Sequence, residues 1–291
     1  MFDYKLLRTL SVVVEQGNFD AAANKLNVTQ SAVSQRLRQL EDQAGQLLIV
    51  RSNPVQATRY GKKLIEHYLK VNLLESNLFD PTELENTRIP IAVNADSLAT
   101  WFIPAIKDLV DSHNIYFDIA VSDQDITHQA FQQGEVIGCV SSRAKPFQGC
   151  NVFKLGEMKC VAVASKSFIA QHLRGTITRE KIKKLPVLVF NREDTLIAIY
   201  LEKFYDLKMT DIQYHTIPST DAFISAAKHG IALSVLPHAQ IVDELKSGSV
   251  INIHKKQFIS VPLYWHSWAL ETNMGKIINK AIMDGAKKYL H

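Results

Sequence analysis

The chain has 291 residues, is 46% hydrophobic, and carries 33 Lys/Arg against 29 Asp/Glu for a formal net charge of +4. That length exceeds one typical small domain and the apolar content suffices for globular cores, which excludes a disordered chain. The near balance of charge excludes a polycation that coats nucleic acid indiscriminately, and no apolar run approaches the roughly 20 residues needed to span a bilayer.

Met1-Phe2-Asp3-Tyr4 leads directly into an amphipathic helix with no basic-then-apolar leader, so a cytoplasmic location is expected. Next, Phe19, Ala22, Ala23 and Leu26 recur at i, i+3, i+4 and i+7, one buried helical face, with Asn18 as its cap. Asn27 suits a tight turn and Thr29 can cap the following helix. In that helix Ala32, Val33, Leu37 and Leu40 face the core, leaving Gln30, Ser31, Ser34, Gln35 and Arg38 on the other side. Amide and guanidinium groups on a slender polar face match base-edge donors and acceptors, and small hydroxyls allow close approach to phosphates. An ordinary solvated helical hairpin has the same pattern, and the next segment of the chain decides between them.

Leu47 to Thr58 gives a short apolar strand, a Ser-Asn-Pro turn and a second extended piece, a β-wing flanked by Arg51 and Arg59. Arginine on a wing gains from phosphate attraction and from the minor groove's negative potential. Thr58 then caps a long helical pattern to about Phe79, closed by Asp80-Pro81. Within it Leu64, Tyr68, Val71, Glu75 and Leu78 recur at alternating steps of four and three, the spacing of a seam against another helix. That partner is either a second chain or the same chain's N-terminal domain.

A polar bridge over 80–88 separates this part from strands alternating with helices: IPIAVNA, LATWFIPAIKDLVDSH, IYFDIAVSD, ITHQAFQQGE and VIGCVSS, then PVLVF, DTLIAIYLEKFYDL, IQYHTIP, STDAFISAAKHG and IALSVLP. The alternation predicts a mostly parallel sheet flanked by helices, in two lobes with a cleft between them. Lys159–Ala164 and Leu263–His266 are the expected crossovers, near 164 and 263. The organisation is therefore 1–58, a winged helix-turn-helix; 59–87, a linker helix and bridge; and 88–291, a two-lobed α/β domain.

No GxGxxG, GxxxxGK[ST] or GxSxG motif is present, so no enzymatic activity is expected. Cys139, Cys150 and Cys160 lack CxxC spacing and the ten histidines form no HxxxH pair, so neither a metal site nor a cofactor is expected. In the cleft, the first strand ends near Asn94 and a helix begins near Ala95, whose positive end suits a ligand carboxylate, with Ser97 and Thr100 as nearby hydroxyls. Asp96 suits an ammonium group, and Asp123 follows the next strand. A carboxylate plus two positive centres describes a basic amino acid; helix capping by the two aspartates is the plainer alternative.

Ala21 to Leu26, Thr29 to Glu41, the wing, and Thr58 to Gly61 together resemble the N-terminal signature of the LysR-type transcriptional regulators. The resemblance implies operator contacts by Gln30, Ser31, Ser34, Gln35, Arg38 and Arg51, and a linker helix pairing two chains through Leu64, Tyr68, Val71 and Leu78 into a homodimer or homotetramer. It also implies a periplasmic-binding-protein-like effector domain, with RNA polymerase as a further candidate partner. Many members carry arginine where this chain has Gln35, followed by glutamine; here the pair is Gln35-Arg36.

The string NADSLATW, followed by GEVIG and YWH, resembles the lysine- and arginine-responsive ArgP/LysG branch of that family. This second resemblance implies an effector site of Asp96, Ser97, Thr100, Trp101 and Asp123, with Ser141, Thr220 and Asp221 from neighbouring strand ends. The implied output is control of amino-acid export or metabolism. The alternatives are a regulator of this family with another effector and, from a different class, an α/β solute-binding protein or enzyme bearing a non-DNA module.

Overall fold

Capping residues start each N-terminal helix. The Asp3 carboxylate accepts the Lys5 N–H at 2.8 Å and opens α1 (Tyr4–Gln16), which Gly17 ends in the left-handed conformation. Asn18 Oδ1 accepts the Ala21 N–H at 2.7 Å to open α2 (Phe19–Leu26), and Asn27 ends it at φ 53°. Thr29 Oγ1 accepts the Ala32 N–H at 3.2 Å to open α3 (Gln30–Ala44). Leu6, Leu7, Leu10 and Val13 of α1 pack with Ala22, Ala23, Val33, Leu37, Leu40 and Leu48 in one small core.

The computed structural model describes residues 2–75, 87–113, 115–121, 131, 136–192, 194–255, 257–270 and 272–291. The wing is a short antiparallel pair, β1 (Ile49–Val50) against β2 (Gln56–Ala57). Thr58 Oγ1 accepts the Gly61 N–H at 3.1 Å and so caps α4 (Arg59–Glu75). The first half of α4 belongs to the N-terminal core, and its second half reaches the α/β domain: Leu69 and Leu73 pack on that domain's core and Lys70 Nζ lies 5.1 Å from the Trp268 ring centroid.

In the α/β domain, β3 (Thr87–Val93) pairs in parallel with β4 (Ile115–Val121) and with β5 (Gly138–Ser141), forming the first lobe. A continuous helical run, α5, over 95–112 contains a π-turn at Leu98–Phe102. In the second lobe β7 (Pro186–Val189) pairs in parallel with β8 (Gln213–Thr216). Its helices include α6 (Lys166–His172), α7 (Arg179–Ile182), α8 (Thr195–Tyr205) and α9 (Thr220–Lys228), followed by β9 (Ser234–Pro237) and α10 (Val242–Ser247).

The sheet is more mixed than the alternating pattern predicts. Two long strands, β6 (Cys150–Ala164) and β11 (Ile259–Trp268), traverse both lobes in opposite directions and pair antiparallel from Ile259↔Cys160 to Trp268↔Cys150. Opposed crossings lying side by side satisfy each other's backbone groups and place strands of both lobes in one seven-stranded sheet, in which β10 (Ile251–Asn252) shares β11's edge of β6 and β9 pairs along the opposite edge, while β7 and β8 form a separate two-stranded sheet. The final helix α11 (Asn273–Tyr289) returns to the first lobe, where Gly285 meets Ala105 of α5 so closely that a Cβ would lie 2.2 Å from Ala105 Cβ. The expected bridge over 80–88 falls largely outside the described residues, and the expected helix over 126–135 falls outside them except for Phe131.

Candidate functional site

Two faces carry the expected chemistry. On α3, Val33, Leu37 and Leu40 are no more than 2% exposed, which fixes the helix's rotation. Gln30, Ser31, Gln35 and Arg38 are consequently exposed and Ser34 is half-buried, so all five lie on the solvent side. Ser31 Oγ hydrogen-bonds Thr29 Oγ1 at 2.9 Å, and no acidic residue occupies the first turn. The positive end of α3 is therefore left for an external anion such as phosphate. Arg51 is exposed just past β1, on the wing.

The linker residues divide. Leu64, expected in a seam between chains, is 6% exposed within its own N-terminal core, with Tyr68 packed against it. The spacing is right for a helix seam, but the partner there is α1 of the same chain. Val71 is half-buried, Leu74 is 45% exposed, and Leu78 lies outside the described residues.

The second face is the cleft between the lobes. Its cavity, about 50 Å³, is lined by Asn94, Ala95 and Asp96 from the first lobe and by Phe190, Asp194, Thr195, Leu196, Thr220, Phe223 and Val235 from the second. The N-termini of α5, α8 and α9 all meet it, because each helix follows a strand that ends at this edge. That space holds a few waters and is less than an amino acid requires, so the lining must move apart to admit one.

Asp96 and Thr220 are thus brought together. Ser97 is fully buried beneath the cleft and its Oγ has no hydrogen-bond partner. Thr100 Oγ1 donates to the Asp96 carbonyl at 2.6 Å, and Thr100 and Trp101 line a separate cavity of about 90 Å³ with Glu157, Lys159, His238 and the last residues of the chain. Ser141 is buried at the end of β5, accepting the Arg143 N–H at 2.9 Å, and Asp221 is exposed, 3.4 Å from Gln240 Nε2. Asp123 lies outside the described residues.

Two further residues line the cleft without a role expected from sequence, Asn94 and Asp194. Asn94 caps α5 through its backbone alone, and its buried Oδ1 has no partner. Asp194 accepts the Phe190 N–H at 2.8 Å and the Leu196 N–H at 3.0 Å; burial raises its pKa above the usual carboxylate range despite these backbone bonds. The Cys160 thiol below the cleft is pushed well up, first by burial and then by both Asp96 and Asp194. The signal for Asp194 is in the sequence: PVLVF followed by NREDT repeats, in the second half, the strand-then-helix grammar of IPIAVNAD.

A larger cavity of about 610 Å³ lies between the N-terminal domain and the first lobe, where Arg88 and Glu15 are 3.7 Å apart. It lacks convergent strand ends and helix N-termini, so the smaller interlobe cleft is the better ligand site. Among the described residues no group of three His, Cys, Asp or Glu side chains could hold a metal, and no helix is long and apolar enough to cross a membrane.

Comparison with known proteins identifies both domains. A family model described as bacterial regulatory helix-turn-helix protein, lysR family, matches residues 4–62, and one described as LysR substrate binding domain matches residues 82–267. The chain is 37% identical over 292 residues to the HTH-type transcriptional regulator ArgP of Aeromonas salmonicida, covering 99% of this chain and 98% of that one. It resembles the crystal structure of ArgP from Mycobacterium tuberculosis with a TM-score of 0.84 and 36% identity, covering 100% and 99% of the two chains. It also resembles full-length LysG from Corynebacterium glutamicum with bound effector Arg, at a TM-score of 0.72 and 30% identity, covering 100% of both.

Proposed function

This chain belongs to the LysR family of transcriptional regulators, and from that premise we propose that its interlobe cleft senses a basic amino acid, arginine or lysine. In this reading Gln30, Ser31, Ser34, Gln35 and Arg38 read an operator's major groove while Arg51 reaches the backbone or minor groove beside it. Occupancy of the cleft changes how two such helices are presented to DNA. The observation that carries the effector class is the cleft's chemistry: an aspartate on each wall, together with the positive ends of α5 and α9. Anionic walls favour the ligand's cationic groups, and a helix N-terminus favours its carboxylate. The similarity to LysG with bound effector Arg supports the same class.

Ser97, buried just behind the cavity with a free Oγ, is a proposed partner for the carboxylate end once the cleft opens, whereas Thr100 and Trp101 support α5 from behind. Asp123 remains a proposed ligand contact. We take the working molecule to be a cytoplasmic homodimer, or a homotetramer built from dimers, paired through the outward side of α4 and engaging RNA polymerase at promoters of amino-acid export or metabolism genes. The experiment is a mobility-shift titration of operator DNA with and without each common amino acid. Arginine or lysine is expected to change operator affinity or the footprint. A response confined to acidic or aromatic compounds would overturn the effector class and leave the DNA-binding assignment intact.

A further inference from the structure

We propose that Asp194 is the residue on the second lobe that recognises the effector's cationic side chain, facing the contribution of Asp96 from the first. The inference rests on reading the cleft as a basic-amino-acid site and deepens it by naming the specificity-determining group. Asp194 stands at the start of α8, with Oδ2 held by the Phe190 N–H and Oδ1 by the Leu196 N–H at 2.8 and 3.0 Å. Those bonds, with a further one from the Ile197 N–H, orient the carboxylate rigidly, and since a carboxylate offers about four lone-pair sites, accepting capacity remains for a ligand. Helix capping accounts for these backbone bonds. It does not by itself account for a half-buried carboxylate lining a cavity whose other wall carries Asp96.

Asn94 supplies an independent observation. It is 6% exposed, lines the same cavity, and its Oδ1 has no hydrogen-bond partner. Three acceptor groups from opposite walls therefore converge on one small space. An anion there would face two carboxylates, whereas a guanidinium brings five donors in a planar fork and an ammonium brings three. Because the two carboxylates come from different lobes, a ligand with two cationic groups is held best when the cleft is shut.

The test is titration calorimetry on the full chain with arginine and with citrulline, its uncharged ureido analogue; lysine with norleucine serves in the same way. Wild-type protein is expected to prefer the charged ligand. Asp194→Asn, whose amide oxygen can still accept one capping N–H, is expected to bind the charged ligand roughly ten- to a hundredfold more weakly, with the charged-to-neutral ratio falling towards one. Asp194→Glu keeps the charge and is expected to keep the preference at reduced affinity, which covers a poorly folded Asn variant. An Asp194→Asn protein that retains the wild-type ratio, or an Asp194→Glu protein that loses it, overturns the assignment while the basic-amino-acid reading stands. Wild-type protein that binds neither arginine nor lysine overturns both.

Discussion

Replacing Gly61 with alanine tests how the wing is locked to the linker helix. An added Cβ would lie 2.0 Å from the Leu48 carbonyl oxygen, 3.0 Å from its carbon and 3.4 Å from Ala57 Cβ, so backbone rather than a yielding side chain must move. The same Leu48 oxygen accepts the Thr58 N–H at 2.9 Å, and Thr58 Oγ1 links the Leu47 carbonyl at 3.0 Å to the Gly61 N–H at 3.1 Å. Forcing these apart costs about 1–3 kcal/mol in overpacking and roughly 1 kcal/mol for the cap, with a further ~1 kcal/mol for the wing bond. Alanine's better helix propensity returns about 1 kcal/mol, leaving a net loss of about 2–4 kcal/mol in the N-terminal domain. At roughly 4–8 °C per kcal/mol for a domain of this size, its melting should fall by at least about 8 °C, with operator affinity falling alongside. Calorimetry of the full chain and operator anisotropy at fixed salt read both. Gly45 is the control: it has φ +69° but nothing within 4 Å of an added Cβ, so Gly45→Ala should incur only about 1–2 kcal/mol of left-handed strain and leave DNA preference unchanged. A Gly61→Ala protein with wild-type melting and affinity would refute the packing argument.

Gln30→Ala is expected to reduce discrimination between operator and random DNA by about 1–3 kcal/mol, measured by competition anisotropy. Arg51→Ala should weaken binding to both DNAs and reduce the magnitude of the salt slope by about one if it contacts phosphate. For dimerisation, Val71→Glu with Leu74→Glu is expected to shift sedimentation velocity towards monomer; Leu64 is unsuitable because its substitution would disrupt its own domain's core. His254, stacked 4.2 Å from Phe204 and bonded at Nε2 by Tyr200 and Tyr205 at 3.0 and 3.2 Å, has its pKa lowered by burial. The unfolded chain then binds that proton more tightly, so this contribution to stability is intact above about 6.5, the ordinary histidine value, and is lost as pH falls below it. The fall in melting temperature between about pH 6.5 and 5 should be shallower in His254→Gln.

Legibility in the sequence tracks the range of the forces involved. Asn18, Thr29 and Thr58 cap the helices expected of them because a cap is decided within three residues. Strand β3 and the helix start after Asn94 are equally local. Leu64 is ambiguous because helical spacing specifies a seam but not whose helix fills it. The extent of β6 is hidden by Lys154, Gly156, Glu157 and Lys159, whose polar and turn-forming character masks a strand that only its pairing with β11 sustains. For Asp194 the local strand-then-helix pattern is readable, but that it shares a cavity with Asp96 appears only once the two lobes are assembled. Trp101 shows the opposite limit: the resemblance includes it, but five residues beyond Asp96 it is fully buried and lines a separate cavity.

The central claim is that this regulator's cleft takes a basic amino acid. Isothermal titration of the full-length protein against arginine, lysine, glutamate and phenylalanine in one buffer tests it most directly. Saturable binding of arginine or lysine, lost or weakened roughly ten- to a hundredfold in Asp96→Asn, is the predicted result. Saturable binding of glutamate or phenylalanine, with none for the two basic amino acids, would contradict it.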